Sequence, residues 1–219
     1  KFWGFYDETA DKRYQTEYGR PIADHGMTLA PGDAVFVDLN GDGVLNGDDA
    51  TRDIGFTDIP EYTAGLNLGF SWKNFDFSMQ WTGAWNVDRM LSEFRRPLGD
   101  TNSKALLLYQ YETTWRSSED TFTAKFPRAS NSHASNNYRG TDLYLINASY
   151  LRLKNVEIGY NFDFPFMKKM KLDNCRLYIN GYNLLTITGF DWGDPESRQS
   201  DRPNYPLTRV FNIGLKVGF

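Results

Sequence analysis

The chain has 219 residues, a net charge of −4 and a mean hydropathy of −0.57, and 16% of its residues are aromatic. These values exclude two classes of protein. No segment approaches the roughly 18 apolar residues of a membrane-spanning helix. Acidic and basic residues are interspersed, without the basic stripe of a nucleic-acid-binding protein. A membrane β-barrel, apolar at every second strand residue, and a soluble β-sandwich both remain compatible with the composition.

The chain begins with an aromatic run that predicts a strand at about 1–8, and a long polar segment follows at about 10–60. Within that segment, residues 38–49 read DLNGDGVLNGDD. A calcium loop needs oxygen ligands at its first, third, fifth, ninth and twelfth positions, a backbone carbonyl at the seventh and glycine at the sixth. The matching ligands are Asp38, Asn40, Asp42, the Val44 carbonyl, Asn46 and Asp49.

This loop predicts a structural Ca²⁺ site that makes a long loop rigid. Asp49 replaces the usual glutamate, and its shorter side chain predicts a weak affinity of the extracellular kind. The flanking residues do not indicate two long helices, so a single loop is expected in place of a paired EF-hand. A turn rich in Gly, Asn and Asp, without any metal, is the alternative.

The clearest periodicity in the chain lies between Glu61 and Asn86. Two runs, at 61–72 and 75–86, alternate strictly between apolar residues and polar or small ones, which is typical of strands with two unlike faces. A tight turn at Lys73 and Asn74 pairs every apolar residue with another apolar residue. The face expected to contact lipid includes Leu66, Leu68, Phe70, Phe77, Met79 and Trp81.

Further alternating runs predict strands at about 147–162, 174–186 and 207–219. In the first of these, the phase reverses between Leu153 and Val156. One additional residue near Lys154 and Asn155 would restore it, as a β-bulge does. With strands of about ten to thirteen residues and aromatics near their ends, the pattern favours a membrane barrel over a soluble sandwich.

The connections alternate between short ones and long ones. Long polar segments at about 10–60, 88–145 and 187–206 are expected to face the outside, and the short turns the periplasm. About six strands cannot close a barrel, since single-chain membrane barrels have at least about eight. The sequence therefore predicts an all-β fold in which 1–219 is part of a transmembrane antiparallel barrel domain. The barrel would be completed by residues outside 1–219, which is the favoured interpretation, or by other chains.

Other candidate sites have weaker support in the sequence. Asp191, Asp194 and Glu196 resemble the carboxylate pair of a glycosidase, although carboxylates in a polar loop are usually solvated. Trp192 beside them is a candidate for stacking on a sugar ring. Tyr178 and Tyr182 fall on the polar face and are candidate substrate contacts in a lumen, or else part of the wall. His25 and His133 show no metal spacing and are expected to be solvated, and no enzyme activity is predicted.

Several motifs together resemble the SusC/RagA-like TonB-dependent transporters. They are the calcium-type loop after Phe36 and Val37, the segment SYLRLKNV at 149–156, the segment NLLT at 183–186, and Tyr205-Pro206 before a final strand that ends at Phe219. The motifs occur in the order typical of that family and extend from about residue 36 to the end of the chain.

The resemblance implies a barrel of about 22 strands, of which this chain would supply the last six or so, with a plug domain upstream. It implies TonB-dependent import of a nutrient, an oligosaccharide or in some members a peptide, across the outer membrane of a Gram-negative, Bacteroidota-like bacterium. A SusD-like lipoprotein is the expected partner, and Phe219 is expected to belong to the C-terminal assembly signal. The alternative function is a secreted, calcium-stabilised β-sandwich that binds carbohydrate.

Overall fold

A computed structural model describes residues 1–91, 108–130, 132–165, 172–197 and 207–218. Across these residues, no helix is both long enough and apolar enough to cross a membrane. The chain divides into two compact units, which are described separately. The loop unit contains Lys1–Gly55 and Arg89–Ile146, and the sheet unit contains Phe56–Asp88 together with the described residues of 147–218.

The loop unit consists of short elements joined by turns. Its elements are β1 (Phe2–Phe5), α1 (Ala10–Tyr18), β2 (Ala34–Phe36), α2 (Leu108–Thr113), α3 (Ala134–Asn137) and single 3₁₀ turns at Gly47–Asp49, Ser118–Asp120 and Asp142–Tyr144. Two further strands, β5 (Asp88–Met90) and β6 (Leu145–Asn147), pair with each other. Tyr14, Val35 and Tyr144 are fully buried at the centre of the loop unit.

The prediction of a barrel strand at 1–8 is wrong. The strand covers only Phe2–Phe5 and pairs with Ala34–Phe36 in a separate two-stranded sheet. Four residues span only about 13 Å, and the chain then enters α1, whose Tyr14 is buried in the loop unit. Among the described residues, the main sheet therefore has five strands in place of the six expected.

The sheet unit is a five-stranded antiparallel sheet in the order β3-β4-β7-β8-β9. Its strands are β3 (Tyr62–Trp72), β4 (Phe75–Trp85), β7 (Tyr150–Phe162), β8 (Asn174–Thr188) and β9 (Val210–Gly218). The predicted hairpin is confirmed, because Trp72 pairs with Phe75 and Leu66 pairs with Trp81. Lys73 adopts a φ of 53°, and its left-handed backbone allows the two-residue turn.

The predicted bulge is also confirmed. On β4, Gln80 pairs with Asn155 while the adjacent Trp81 pairs with Leu153, so that Lys154 is the additional residue. The bulge keeps both Leu153 and Val156 on the apolar face, although they are separated by three positions. A second irregularity follows at Asn183 of β8, whose φ is 53°.

The two faces of the five-stranded sheet differ in chemistry along every described strand. One face carries the apolar side chains of all five strands, and many of them are exposed: 52% for Leu66, 63% for Phe70 and 76% for Ile213. Leu68 is likewise exposed, and Phe77, Met79 and Trp81 are half-exposed on the same face. The opposite face carries polar residues, which include Asp76, Gln80, Arg152, Glu157, Arg176, Asn180 and Asn212.

The antiparallel order also separates the connections by length. The turn between β3 and β4 and the segment between β7 and β8 lie at one end of the strands. The segments 86–149 and 189–209 leave from the other end, which is where the long predicted loops were expected to lie. The side chain of Phe219 lies outside the described residues.

Candidate functional site

The calcium-type loop folds as a series of turns closed by its own side chains. Asp38 accepts backbone N–H groups from Gly41 at 2.6 Å and from Gly43 at 3.0 Å. Asn40 accepts one from Asp42 at 3.0 Å, and Asp42 accepts one from Val44 at 2.8 Å. Short Asp and Asn side chains stabilise local turns in this way, so the sequence order alone explains the winding of the loop.

Asp49 closes the loop from its far end. Its carboxylate accepts the backbone N–H of Leu39 at 2.7 Å and that of Asn46 at 2.9 Å. Burial opposes ionisation of Asp49, but these N–H donors, together with a contact from Asp38, outweigh it and lower the pKa of the carboxyl group. Asp38 and Asp49 are only 1% and 4% exposed, so two carboxylates lie close together inside the loop.

The donor chemistry of the loop fits Ca²⁺, which prefers carboxylate, amide and carbonyl oxygens. In the structure, the oxygen atoms of these side chains converge only partly on a common point. Nowhere among the described residues do three or more Asp, Glu, His or Cys side chains form a group that could hold a metal ion. The amide nitrogen of Asn40 donates to Asp42 at 3.0 Å, and Arg20 lies against the loop with its Nη1 at 3.9 Å from the Asp38 carboxylate.

The candidate tyrosines lie on the polar face of β8. Tyr178 faces Gly159 and Gly214 on the neighbouring strands, and a Cβ at Gly214 would overlap its ring. The Arg176 guanidinium lies 5.1 Å from the centre of the same ring. Tyr178 is therefore packed on the sheet as part of its wall, whereas Tyr182 is 40% exposed on the same face.

Trp192 lies in the segment that directly follows β8 and is half-buried. The carboxylates on its C-terminal side, Asp194 and Glu196, both form ion pairs with Arg152 of β7. These ion pairs with Arg152 fix the positions of both carboxylates. Sequence reasoning missed Arg152, although its position between apolar residues of a strand with a polar face was the available signal.

The expectation that both histidines are solvated is wrong. His25 is 5% exposed, its Nδ1 is 2.8 Å from the Ala23 carbonyl oxygen, and its Nε2 accepts the N–H of Phe36 at 3.2 Å. Burial is the main reason that the pKa of His25 lies below its ordinary value. His133 is half-buried, with its Nδ1 at 2.6 Å from the carboxylate of Asp33.

The sequence of the chain is similar to those of known receptors. No family model matches the chain. TonB-dependent receptor P3 of Formosa agariphila is 31% identical over 206 residues, which are 86% of this chain and 19% of the receptor. The TonB-dependent receptor SusC of Bacteroides thetaiotaomicron is 25% identical over 205 residues, 93% of this chain and 18% of that protein.

The solved structures give the same answer at the level of the fold. The RagAB peptide importer in its open-open state superposes with a TM-score of 0.63 at 19% identity and covers 100% of this chain and 22% of its own. Its closed-closed state also gives 0.63, at 21% identity, over 86% of this chain and 21% of its own. The chain matches a fragment of the SusC/RagA-like TonB-dependent receptors.

The chain spans about a fifth of the length of the curated relatives that it matches. The relatives are named as receptors, which are not enzymes, in agreement with the prediction of no enzyme activity. The superpositions confirm the predicted fold class, a partial antiparallel barrel in which the five-stranded sheet forms a stretch of the wall.

Proposed function

We propose that this chain is the C-terminal part of the barrel domain of a receptor that imports a nutrient across the outer membrane of a Gram-negative, Bacteroidota-like bacterium. Import would depend on TonB, acting through parts of the receptor upstream of this chain. The names of the curated relatives support TonB dependence. The observation that carries the proposal is the exposed apolar face of the five-stranded sheet.

That face has the character of a surface solvated by lipid. A membrane barrel presents apolar side chains outward and polar ones to its interior, in strict alternation. In the sheet unit, Phe70 and Ile213 are 63% and 76% exposed, while the polar Arg152 and Asn180 on the other face are 2% and 8% exposed. In water, an apolar face of this extent would be expected to be covered.

The alternative, a secreted sandwich that binds carbohydrate, requires a second sheet packed on the apolar face. The strands that the structure describes outside the five-stranded sheet are only three or four residues long. They are too short to cover strands of up to 15 residues. The similarity to TonB-dependent receptors favours import as well.

Spin labels in the hairpin test the lipid-facing assignment. In the full-length receptor, with the native Cys175 replaced by Ser, single labels at Leu68, Met79 and Ser78 are compared in bilayers. The labels at Leu68 and Met79 should be relaxed by dissolved oxygen and shielded from a water-soluble nickel reagent, because they face lipid. The label at Ser78 should show the opposite pattern. If all three labels respond alike, the barrel assignment fails.

The proposed substrate is an oligosaccharide, with a peptide as the alternative suggested by the names of the RagAB structures. Trp192 and Tyr182 would contact it, since aromatic rings pack against sugar and peptide surfaces; Tyr178 would contribute from the wall. Replacing Trp192 with Ala in the intact receptor should weaken uptake at low substrate concentration, and Trp192→Phe should retain most of it. If both variants take up substrate as well as the native receptor does, Trp192 does not contact the substrate.

A SusD-like surface lipoprotein is the proposed partner. The family similarity and the long polar segments at the end of the strands opposite the short turns support it. Purification of the native full-length receptor in mild detergent should recover the lipoprotein as well. Repeated purification without any lipoprotein would contradict this part of the proposal.

We further propose that residues 38–49 bind a structural Ca²⁺. Asp38, Asn40, Asp42, the Val44 carbonyl and Asp49 would hold it, with Asn46 acting directly or through water. Binding would draw the Asn40 and Asp42 oxygens inward around the buried Asp38 and Asp49 carboxylates. The expected affinity is on the order of 10⁻⁴–10⁻³ M, as in extracellular modules.

Two matched variants test the metal proposal. After chelation, added Ca²⁺ should raise the melting temperature of the loop unit within the full-length receptor. Asp42→Asn, which keeps the oxygen that accepts the Val44 N–H, should weaken this response about tenfold. Asp48→Asn changes an exposed carboxylate outside the template and should leave the response intact. An identical response in the two variants, or none in the native protein, would refute the site.

The C-terminal assembly signal is tested separately. Phe219→Ala should reduce the amount of receptor assembled into the outer membrane, because the assembly machinery would recognise the terminal aromatic residue. Heat-modifiable migration of the folded barrel measures assembly, with Lys216→Ala on the polar face as the control. Equal assembly of both variants would contradict the assignment.

A further inference from the structure

The segment that follows β8 folds back onto the polar face of the sheet. The Thr188 hydroxyl donates to the Ser149 carbonyl at 2.8 Å and accepts the N–H of Phe190 at 3.1 Å, and Phe190 is 9% exposed. Gly193 adopts a φ of 133°, which favours glycine. A turn follows, in which the N–H of Ser197 donates to the Asp194 carbonyl at 3.0 Å. Residues 189–197 are called the strap.

Arg152 of β7 holds the strap through the two terminal nitrogens of its guanidinium group and is itself fixed through the third. Its Nη2 donates to the Asp194 carboxylate at 2.5 Å, and its Nη1 donates to the Glu196 carboxylate at 2.8 Å. Its Nε donates to the Thr186 hydroxyl on β8 at 3.0 Å. The planar fork of arginine suits such simultaneous pairing, which the single charge of lysine cannot reproduce.

The burial of Arg152 makes this pairing different from a surface ion pair. Exposed pairs contribute little, because water competes for both partners. Arg152 is 2% exposed, and a buried guanidinium without partners carries a large desolvation cost. Both carboxylates come from the strap, so lifting the strap would leave Arg152 without these two carboxylate partners.

The strap is also organised by the same carboxylate that binds Arg152. Asp194 Oδ1 accepts the N–H of Glu196 at 3.1 Å, which orders the turn that carries the second carboxylate. The Arg152 guanidinium lies 5.3 Å from the centre of the Tyr150 ring, which covers it from the side. The turn, the two carboxylates and the arginine thus form one connected unit.

We propose that Arg152 is a positioning residue that fixes the strap, and with it Trp192, against the inner wall of the barrel. The assignment of this wall to the lumen rests on the proposed function; the anchoring itself does not. The beginning of the β8–β9 connection is then a fixed part of the lumen surface, and Trp192 is presented to substrate from a defined place. Substrate selection by Trp192 would depend on a residue forty positions away in sequence.

Spin-label mobility in the full-length receptor tests the anchor. A label at the exposed Asp191, in a Cys175→Ser background, should be restricted in the native protein. Arg152→Gln should release it, giving a component several-fold more mobile on the nanosecond scale. Asp194→Asn combined with Glu196→Gln should reproduce this release. The second variant leaves the strand residues unchanged, so it carries the test if Arg152→Gln fails to fold.

Lys154→Gln is the matched control. Lys154 lies on the same strand and is 3.7 Å from Glu196, but its side chain is 44% exposed, so its loss should not change the label. Resistance to unfolding in dodecyl sulfate shows, for each variant, that the barrel is folded when the label is measured. An immobile label in both anchor variants would overturn the proposal and leave Phe190 packing as the anchor. Spin-label mobility is measured without any uptake of substrate. Failure of the anchoring proposal can therefore be distinguished from failure of the import proposal.

Discussion

The loop unit and the sheet unit place their apolar and polar residues in opposite ways. In the loop unit, apolar side chains such as Tyr14 and Val35 are buried, and they enclose polar groups such as Asp33 and Asn137 that are 0% exposed. In the sheet unit, apolar side chains such as Phe70 remain exposed. Both units belong to the same chain, so the overall composition of the chain does not reveal this difference.

The difference is the one expected if the two units are adapted to different solvents, water for the loop unit and lipid for the apolar face of the sheet unit. The loop unit satisfies its buried polar groups internally, as proteins in water do. Asp33 accepts hydrogen bonds from Arg128, His133 and Asn137, at 2.7, 2.6 and 3.0 Å. The sheet unit gains nothing by covering its apolar face if that face meets lipid. Four predictions test this comparison.

The largest expected effect is at the centre of the loop unit. Asp33→Ala should destabilise the unit by about 3–5 kcal/mol, because Arg128 and several amide donors would lose a buried acceptor. Burial opposes ionisation of Asp33, but the hydrogen bond from Arg128 and the other donors lower its pKa. Hydrogen exchange of β2 measures the loss. Asp24→Ala, which changes an exposed carboxylate, is the control, and an equal loss there would contradict the prediction.

A charge on the apolar face of the sheet should have the next largest effect. Leu68→Arg should destabilise the barrel by about 2–4 kcal/mol, because a charge near the middle of the bilayer is costly. Asn67→Arg, one residue away, should be tolerated where the lumen leaves room. Unfolding in bilayers measures both variants. Equal losses would indicate that the two faces meet the same solvent.

Packing on the polar face should contribute less. Gly214→Ala should cost about 1–3 kcal/mol, since the new methyl group would overlap the ring of Tyr178. Tyr178→Ala in the same background should recover part of the loss. Gly189→Ala, where a Cβ meets no atom within 4 Å, is the control. If Gly214→Ala is neutral in the same unfolding assay, Tyr178 is free to move, and its role as wall is wrong.

The smallest expected effect is a loss of loop-unit stability in acid. Because Nε2 of His25 accepts the N–H of Phe36, the ring is neutral in the folded state. Because the pKa of His25 is lower in the folded protein than in the unfolded protein, the unfolded protein binds a proton at a higher pH than the folded one does. Stability is therefore fully present above pH 6.5, the ordinary value, and is lost as pH falls from there toward the lowered pKa of the folded state.

Hydrogen exchange of the Phe36 amide reports this loss most directly. The protection factor of this amide, which corrects for the intrinsic slowing of exchange in acid, should fall in the native receptor as the pH is lowered below 6.5. His25→Gln should remove this fall, because glutamine offers a neutral acceptor at every pH. The same fall in both proteins would assign the acid sensitivity to another group.

Much of the sheet unit was predictable from the sequence, because its physical rules are local. Alternation of period two sets which residues share a face, so the register of Leu66 with Trp81 followed from the turn at Lys73 and Asn74. The bulge at Lys154 followed from a single break in phase. The order of Asp and Asn residues at 38–49 matched a calcium loop, with a turn rich in Gly, Asn and Asp as the alternative, and the turns are present.

The sequence by itself thus determined the five strands of the main sheet, their two faces and the resemblance to the SusC/RagA-like receptors. Only the tertiary structure decided where the short N-terminal strand pairs, that His25 is buried, and that Arg152 binds Asp194 and Glu196. These contacts join residues far apart in the chain, and no periodicity records them. A charged residue in a polar segment looks solvated until the fold encloses it, because its environment is set by distant residues and not by its neighbours in sequence.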